Sequence, residues 1–350
     1  MTRYYTRACN FYYGKESKTL VSKKKSLPLN GNKEISFDQI EIISRKSKKK
    51  ILIKNLKRLP KLLKKKISLD LKNIASKNKN FANLNFQKIP NIMGVLNLTP
   101  DSFSDGGKFN RRNRGIKHVV GMLKAGANII DVGGESTRPG SKAINLKLEW
   151  NRICKILKSI CKKVPVSLDT RKSEVMEKGI KLGVKIINDV SGLSYDKKTK
   201  NILKKYKIPF VIQHTQGTPR NMQIKPSYKN ELLDIYDFFE EKIKSLRFIG
   251  IKHNNIIIDP GIGFGKNLKH NMNLISNISI FHSLGFPVLV GNSRKRFIKE
   301  ITGKNDTKSR IGGTVASSVY LMMQGVQILR IHDVNELLQG VKVFKELIKN

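Results

Sequence analysis

The 350-residue sequence is poor in acid: 69 Lys and Arg stand against 26 Asp and Glu, a formal net charge of +43. It is poor in cysteine too. Cys9, Cys154 and Cys161 are too few for a disulfide framework, and none has metal-ligand spacing. Cys154 and Cys161 lie seven apart in a helical pattern and read as reduced core thiols. No run of 18 apolar residues exists to span a membrane, and residues 1–10 lack the apolar stretch of a secretory signal. These absences describe a soluble protein of a reducing compartment, read as cytoplasmic. What remains, 39% apolar and 27% charged, is a globular composition with room for one large domain or two ordinary ones.

The positive charge could signal a nucleic-acid partner. It is, however, spread along the whole chain: a net of +19 falls in residues 1–90 and +24 in the remainder. The excess is mostly Lys, set among many Asn and Ile, which suits a drift toward AT-rich codons as well as a binding surface. Small anionic substrates would be favoured by either origin, and a dedicated nucleic-acid role is not needed.

Residues 1–90 read as a Lys-rich N-terminal extension of unknown role. They hold runs such as Lys23–Lys25 and Lys48–Lys50, a short strand pattern over Ile35–Ile42, and few turn signals. After Pro60, Leu63, Ile67, Leu71 and Ile74 recur at helical spacing, predicting a basic amphipathic helix that packs on its own domain. From Ile92 the character changes. Eight short apolar runs, Ile92–Leu98, Ile129–Gly133, Val164–Leu168, Ile186–Val190, Phe210–Gln213, Ile256–Ile258, Val288–Val290 and Ile328–Ile331, alternate with helix-period segments. Eight βα units over residues 91–350 fit an α/β fold, the closed (β/α)₈ barrel, in number and length. An open doubly wound sheet usually carries a glycine-rich dinucleotide fingerprint after its first strand, and none appears here.

In a (β/α)₈ barrel, function gathers at the carboxyl ends of the strands. Those ends carry Asn97, Asp131 with Glu135, Asp169, Asn188-Asp189, His214, Asp259, Ser293-Arg294-Lys295, and Arg330 with His332. Any one of these has an ordinary reading, an Asp as a helix N-cap for example; eight converging ends read as an active site. Asp169, Asn188 and Asp259 suit a flat heterocycle with several N–H groups. Arg294, Lys295, Arg330 and His332 come from the last two strands, where barrels commonly build phosphate sites. Asn97 could give one oxygen to Mg²⁺, which often takes few protein ligands. Thr99–Gly107 and Glu135–Gly140 read as mobile loops able to close over the site.

Seven segments, in order, carry a family resemblance: MGVLNLTPDSFSDGG (93–107), IIDVGGESTRPG (129–140), SLDT (167–170), IIND (186–189), IDPGIGFGK (258–266), GNSRKRF (291–297) and RIHD (330–333). Together they resemble dihydropteroate synthase over the chain from about residue 91 to its end. The resemblance implies a transferase of folate biosynthesis that condenses 6-hydroxymethyl-7,8-dihydropterin diphosphate with 4-aminobenzoate. It implies that Asp169, Asn188, Asp259 and Lys295 hold the pterin, that Asn97 ligates Mg²⁺, and that Arg330 and His332 meet the diphosphate. Thr137 and Arg138 would lie beside the substrate. Phe103, Asp105 and Pro139 would form the aminobenzoate pocket, with Lys295 and Phe264 on its inner wall. Asp169, Lys295, Arg330 and His332 are the residues implied for catalysis, diphosphate leaving before the aniline nitrogen attacks. A homodimer is a further implication. Departures are small: Ile262 stands where some members have Phe, and Arg296 where some have Ser.

Two rival readings make different predictions. A pterin-binding methyltransferase barrel would have no use for Asn97, the SRK segment and Arg330-Ile331-His332. A catalytically idle barrel whose basic extension binds nucleic acid would be indifferent to Asp169→Asn, yet no key motif position is lost.

Overall fold

A computed structural model describes residues 2–99, 112–138 and 140–349. The chain begins with an antiparallel sheet built from β1 (Tyr5–Tyr13), β2 (Leu27–Leu29), β3 (Asn32–Ile43) and β4 (Lys48–Leu52). With it come two helices, α1 (Gly14–Ser22) and α2 (Lys61–Ala75). The Ile35–Ile42 pattern is thus the middle of a 12-residue strand, and it pairs with three others. The Lys48–Lys50 run lies in β4, which pairs only with β3 among the described strands. An edge strand with exposed side chains tolerates lysine, which also discourages edge-to-edge pairing. That is why a charge run concealed a strand. The stripe Ile67, Leu71 and Ile74 on α2 is buried against Ala8, Phe37 and Ile40 of the sheet.

The barrel follows as β5 (Asn91–Asn97), β6 (Ile129–Gly133), β7 (Val166–Asp169), β8 (Ile186–Asp189), β9 (Phe210–Gln213), β10 (Ile256–Asp259), β11 (Leu289–Val290) and β12 (Ile328–Ile331). All pair in parallel in the order β10-β9-β8-β7-β6-β5-β12-β11. A bridge between Ile258 and Val288, with the Ile258 N–H donating to the Pro287 carbonyl at 3.0 Å, joins the two ends of the sheet. Helices α3 (Arg112–Ala125), α4 (Leu146–Ile160), α5 (Ser173–Lys181), α6 (Thr199–Tyr206), α7 (Glu231–Phe248), α8 (Leu268–Ser276), α9 (Arg296–Thr302), α10 (Ile311–Met323) and α11 (Val334–Leu347) complete the fold.

Strand alternation sorts the barrel into layers. Ile92, Ile130, Val166, Ile187, Phe210, Ile256, Val288 and Leu329 face out to the helices. Met93, Ile129, Ile186, Val211, Ile257, Leu289 and Ile328 face in, and Leu84 and Phe86 of the preceding segment close this layer from below. The lead-in after α2 therefore belongs to the barrel floor. Two residues further along each strand, the inward positions become Val95, Asp131, Asn188, Gln213, Asp259, Gly291 and Arg330. The same step that fills the lower barrel with apolar side chains fills the upper barrel with polar ones. Of the two thiols seven apart, Cys161 is buried, whereas Cys154 on the outer part of α4 is only half-buried.

Candidate active site

Arg330 is the hub of the upper layer. Its Nε donates to Asp131 Oδ2 at 2.6 Å and its Nη2 to Asp169 Oδ2 at 2.8 Å, so one guanidinium bridges carboxylates from β6 and β7. Asn188 Nδ2 donates to the same Asp131 oxygen at 3.1 Å. Three polar atoms here, Asp131 Oδ1, Asn188 Oδ1 and Ser167 Oγ, are buried without a hydrogen-bond partner among the described residues. Leaving such atoms unmet costs on the order of 1–3 kcal/mol each, so the arrangement suits a partner from outside the chain. All three can accept, which calls for a ligand presenting N–H groups.

Asp259 lies in the same layer and accepts the Gly261 N–H at 2.8 Å. Burial pushes its carboxyl up to about 6, against the pull of that N–H and of Lys295. Burial raises Asp169 as well, although Arg330 opposes it. Lys295 Nζ stands 4.0 Å from the centroid of the Phe264 ring, a cation–π contact that seats the ammonium over an aromatic wall. Burial, then the charge of Arg330, pull that ammonium down to about 7. Asp189, next in sequence to Asn188, faces the opposite side of the strand. Its carboxylate accepts from Ser191 Oγ at 2.6 Å, so of the pair at this strand end only Asn188 reaches the site.

The cleft above has a volume of about 410 Å³ and is lined by Asn97, Thr137, Arg138, Lys295, Arg330 and His332, among others. Its cationic character is set by a backbone device. Arg294 adopts a left-handed φ of 57°, a strained setting for a non-glycine residue. Bonds to three residues hold it there. Its N–H donates to Thr314 Oγ1 at 2.9 Å, its carbonyl accepts from Arg310 Nη1 at 3.0 Å, and its guanidinium forks onto Asp333. The flanking residues Ser293 and Lys295 both line the cleft as a result. Ser293 Oγ accepts the His332 backbone N–H at 3.2 Å and lies 3.0 Å from His332 Nδ1. An Oγ–H donated to Nδ1 leaves the imidazole proton on Nε2. Burial and then Arg330 hold His332 well below its ordinary range, which favours the neutral imidazole.

Behind the β6 loop, Glu135 is buried and accepts Arg171 Nε at 2.9 Å and Nη2 at 3.0 Å, and Lys172 Nζ at 2.9 Å. It also accepts the Ile144 N–H at 2.9 Å, which ties down the segment carrying Thr137 and Arg138. Glu135 is thus an anchor of the loop and does not reach the cleft. Arg296, the departure in the SRKR segment, directs its Nε to Glu300 at 2.6 Å on the next turn of α9. Ile262 is buried in the core.

The sequence-derived site residues Asn97, Thr137, Arg138, Asp169, Asn188, Asp259, Phe264, Lys295, Arg330 and His332 all belong to this end of the barrel. Phe103, Asp105 and Pro139 lie outside the described residues. Asp131 was legible only as a strand end; its phase, two residues after the inward Ile129, is the signal that puts it at the centre. Among the described residues no group of three His, Cys, Asp or Glu could hold a metal, and no helix is long and apolar enough to cross a membrane.

Residues 93–332 match the Pterin binding enzyme family. Dihydropteroate synthase of Escherichia coli K12 is 40% identical over 256 residues, which cover 73% of this chain and 90% of that protein. Among solved structures, Yersinia pestis dihydropteroate synthase with a sulfonamide drug aligns with a TM-score of 0.73 at 37% identity, covering 76% of this chain and 97% of that one. The Xanthomonas albilineans dihydropteroate synthase with 4-aminobenzoic acid aligns with a TM-score of 0.68 at 34% identity, covering 74% and 93%. With relatives of this identity matched along nearly their whole length, the chain belongs to the dihydropteroate synthases.

Proposed function

We propose that this transferase condenses 6-hydroxymethyl-7,8-dihydropterin diphosphate with 4-aminobenzoate, giving 7,8-dihydropteroate and diphosphate for folate biosynthesis. The observation that carries the reading is the pairing of buried, unmet acceptors inside the barrel with a cationic cleft directly above. Acceptors at Asp131, Asn188 and Asp259 suit the N–H-rich edge of a pterin. Arg330 touches both halves of the site, and with neutral His332 it would receive the charge that develops on the leaving diphosphate. Asp169, held by Arg330 at 2.8 Å, would offset the positive charge left on the pterin methylene. The aniline nitrogen of 4-aminobenzoate then attacks from the Phe264–Lys295 wall. The unpaired thiols Cys9, Cys154 and Cys161 support a reducing, cytoplasmic setting.

Asn97 fits a Mg²⁺ ion that arrives with the diphosphate. Its Oδ1 stands at the strand end 3.5 Å from where a Cβ on Gly133 would be, so the glycine keeps the space beside that oxygen clear. Bare Mg²⁺ would be repelled by Arg330, Arg138 and Lys295, and a single neutral oxygen cannot hold it alone. When bound, the ion would neutralise part of the diphosphate charge. Purified protein given both substrates and Mg²⁺ should form labelled dihydropteroate, and EDTA should remove most of that activity. Full activity in EDTA would eliminate Asn97 as a metal ligand; no product at all would overturn the reaction.

The raised Asp259 carboxyl sets a pH dependence. The carboxylate is a stronger acceptor of a pterin N–H than the neutral acid, so pterin affinity should fall as pH drops through about 6, below the range in which Lys295 titrates near 7. Titration of Asp259 alone can lower the affinity by at most about tenfold per pH unit there. Asp259→Asn should flatten that limb; an unchanged profile would remove Asp259 from pterin recognition.

A further inference from the structure

The motif that presents Asp259 and Phe264 ends in Lys266, and the reaction as described leaves this residue without a part. Its side chain is only 2% exposed, and it forms no ion pair with a carboxylate among the described residues. Instead Nζ donates to the Gly261 carbonyl at 3.0 Å and the Phe264 carbonyl at 2.8 Å. A third direction is shared between His214 Nδ1 at 3.1 Å and the His214 carbonyl at 3.4 Å. The three ammonium protons are therefore spent on two loops, the one after β9 and the one after β10.

The backbone has been shaped to this ammonium. Gly261 and Gly265 have φ of 69° and 61°, and a Cβ on either would run into the carbonyl of His214 or Gln216. The two loops thus touch backbone to backbone, and the left-handed glycines turn the carbonyls of residues 261 and 264 onto one point. Burying an ammonium without a carboxylate is costly. Burial pulls Lys266 down to about 7.

Two of the carbonyls that Lys266 holds, those of Gly261 and Phe264, lie in the loop that shapes the site. Gly261 gives its N–H to Asp259, while Phe264 carries the ring beneath Lys295. We propose that Lys266 is a positioning residue for both substrates, fixing the Asp259 carboxylate for the pterin and the Phe264–Lys295 wall for 4-aminobenzoate. It touches neither. One buried cation couples two binding surfaces that come from one loop, and His214 ties that loop to its neighbour. This assignment rests on the reaction proposed above.

The test is Lys266→Met, which keeps the length and loses the ammonium, with exposed Lys269→Met on α8 as the control. With the fold checked by circular dichroism, KM for both substrates should rise about tenfold or more, the worth of one or two lost bonds of this kind. The dissociation constant for 6-hydroxymethylpterin, measured by calorimetry, should weaken by a similar factor, and kcat should change much less. Lys266→Gln, which retains N–H donors, should recover part of both losses and replaces the Met variant if that one does not fold. Wild-type KM values in a folded variant, or a loss in kcat alone, would overturn the assignment. If the wild-type protein makes no dihydropteroate, the reaction fails, yet the calorimetric comparison still judges Lys266.

Discussion

Arg330→Met is expected to lower kcat/KM by about a thousandfold or more and to cost roughly 3–5 kcal/mol of stability. Both effects have the same cause. The guanidinium is 17% exposed and bridges Asp131 at 2.6 Å and Asp169 at 2.8 Å, each of them buried. Methionine fills much of the volume but leaves two carboxylates facing each other without a cation between them. Catalysis also loses the donor that reaches from the pterin chamber to the cationic cleft. Adding Asp131→Asn to Arg330→Met removes one of the stranded charges. The double variant should therefore regain much of the stability, read from urea melts, and none of the activity. A single variant as stable as wild type, or a double variant that regains turnover, would sink this picture of the hub.

Removing residues 2–77 should leave a chain that precipitates or melts at least about 10 °C lower, given several buried bonds and an apolar face lost together. The Yersinia structure aligns over 97% of its own chain but 76% of this one, and the family match begins only at residue 93. Here the flank of the barrel has been adapted to its cover. Tyr5 is fully buried, stacks edge-on against Tyr236 at 5.1 Å, and donates its hydroxyl to Asp237 at 2.8 Å. Arg45 reaches Asp234 at 2.8 Å and Asp237 at 2.7 Å. The turn Ile278–Leu284 lies under the sheet, with Ser279 Oγ donating to the Ala8 carbonyl at 3.0 Å and the Ser283 carbonyl accepting from Asn73 at 2.9 Å. A soluble truncated barrel with an unaltered melting temperature and full turnover would show the sheet to be a dispensable accessory. Either result can be read from a melting curve and one assay.

The barrel was legible because its strands are short, apolar and evenly spaced, and because the polar residues at their ends interrupt that pattern. The N-terminal sheet was much less so. Its longest strand carries Asn32, Lys33 and Glu34 at one end, and its edge strand opens with three lysines. The Ile35–Ile42 part of β3 does read as a strand, but its ends and β4 do not, since antiparallel pairing between β3 and β4 supplies what the local sequence lacks.

The site divides along the same line. The sequence by itself determined the eight βα units, the donors and acceptors at their ends, and through the seven motifs the family to which they belong. Those are properties of residue type, spacing and order, and they survive without coordinates. Only the tertiary structure decided which of those groups meet. It turned Asp131 inward beneath Arg330 and Asp189 outward, a difference set by strand phase. It buried Glu135 behind the loop it anchors, and it closed two loops around the ammonium of Lys266. Partners separated by 199 residues, as Arg330 and Asp131 are, acquire their relation only when the barrel closes.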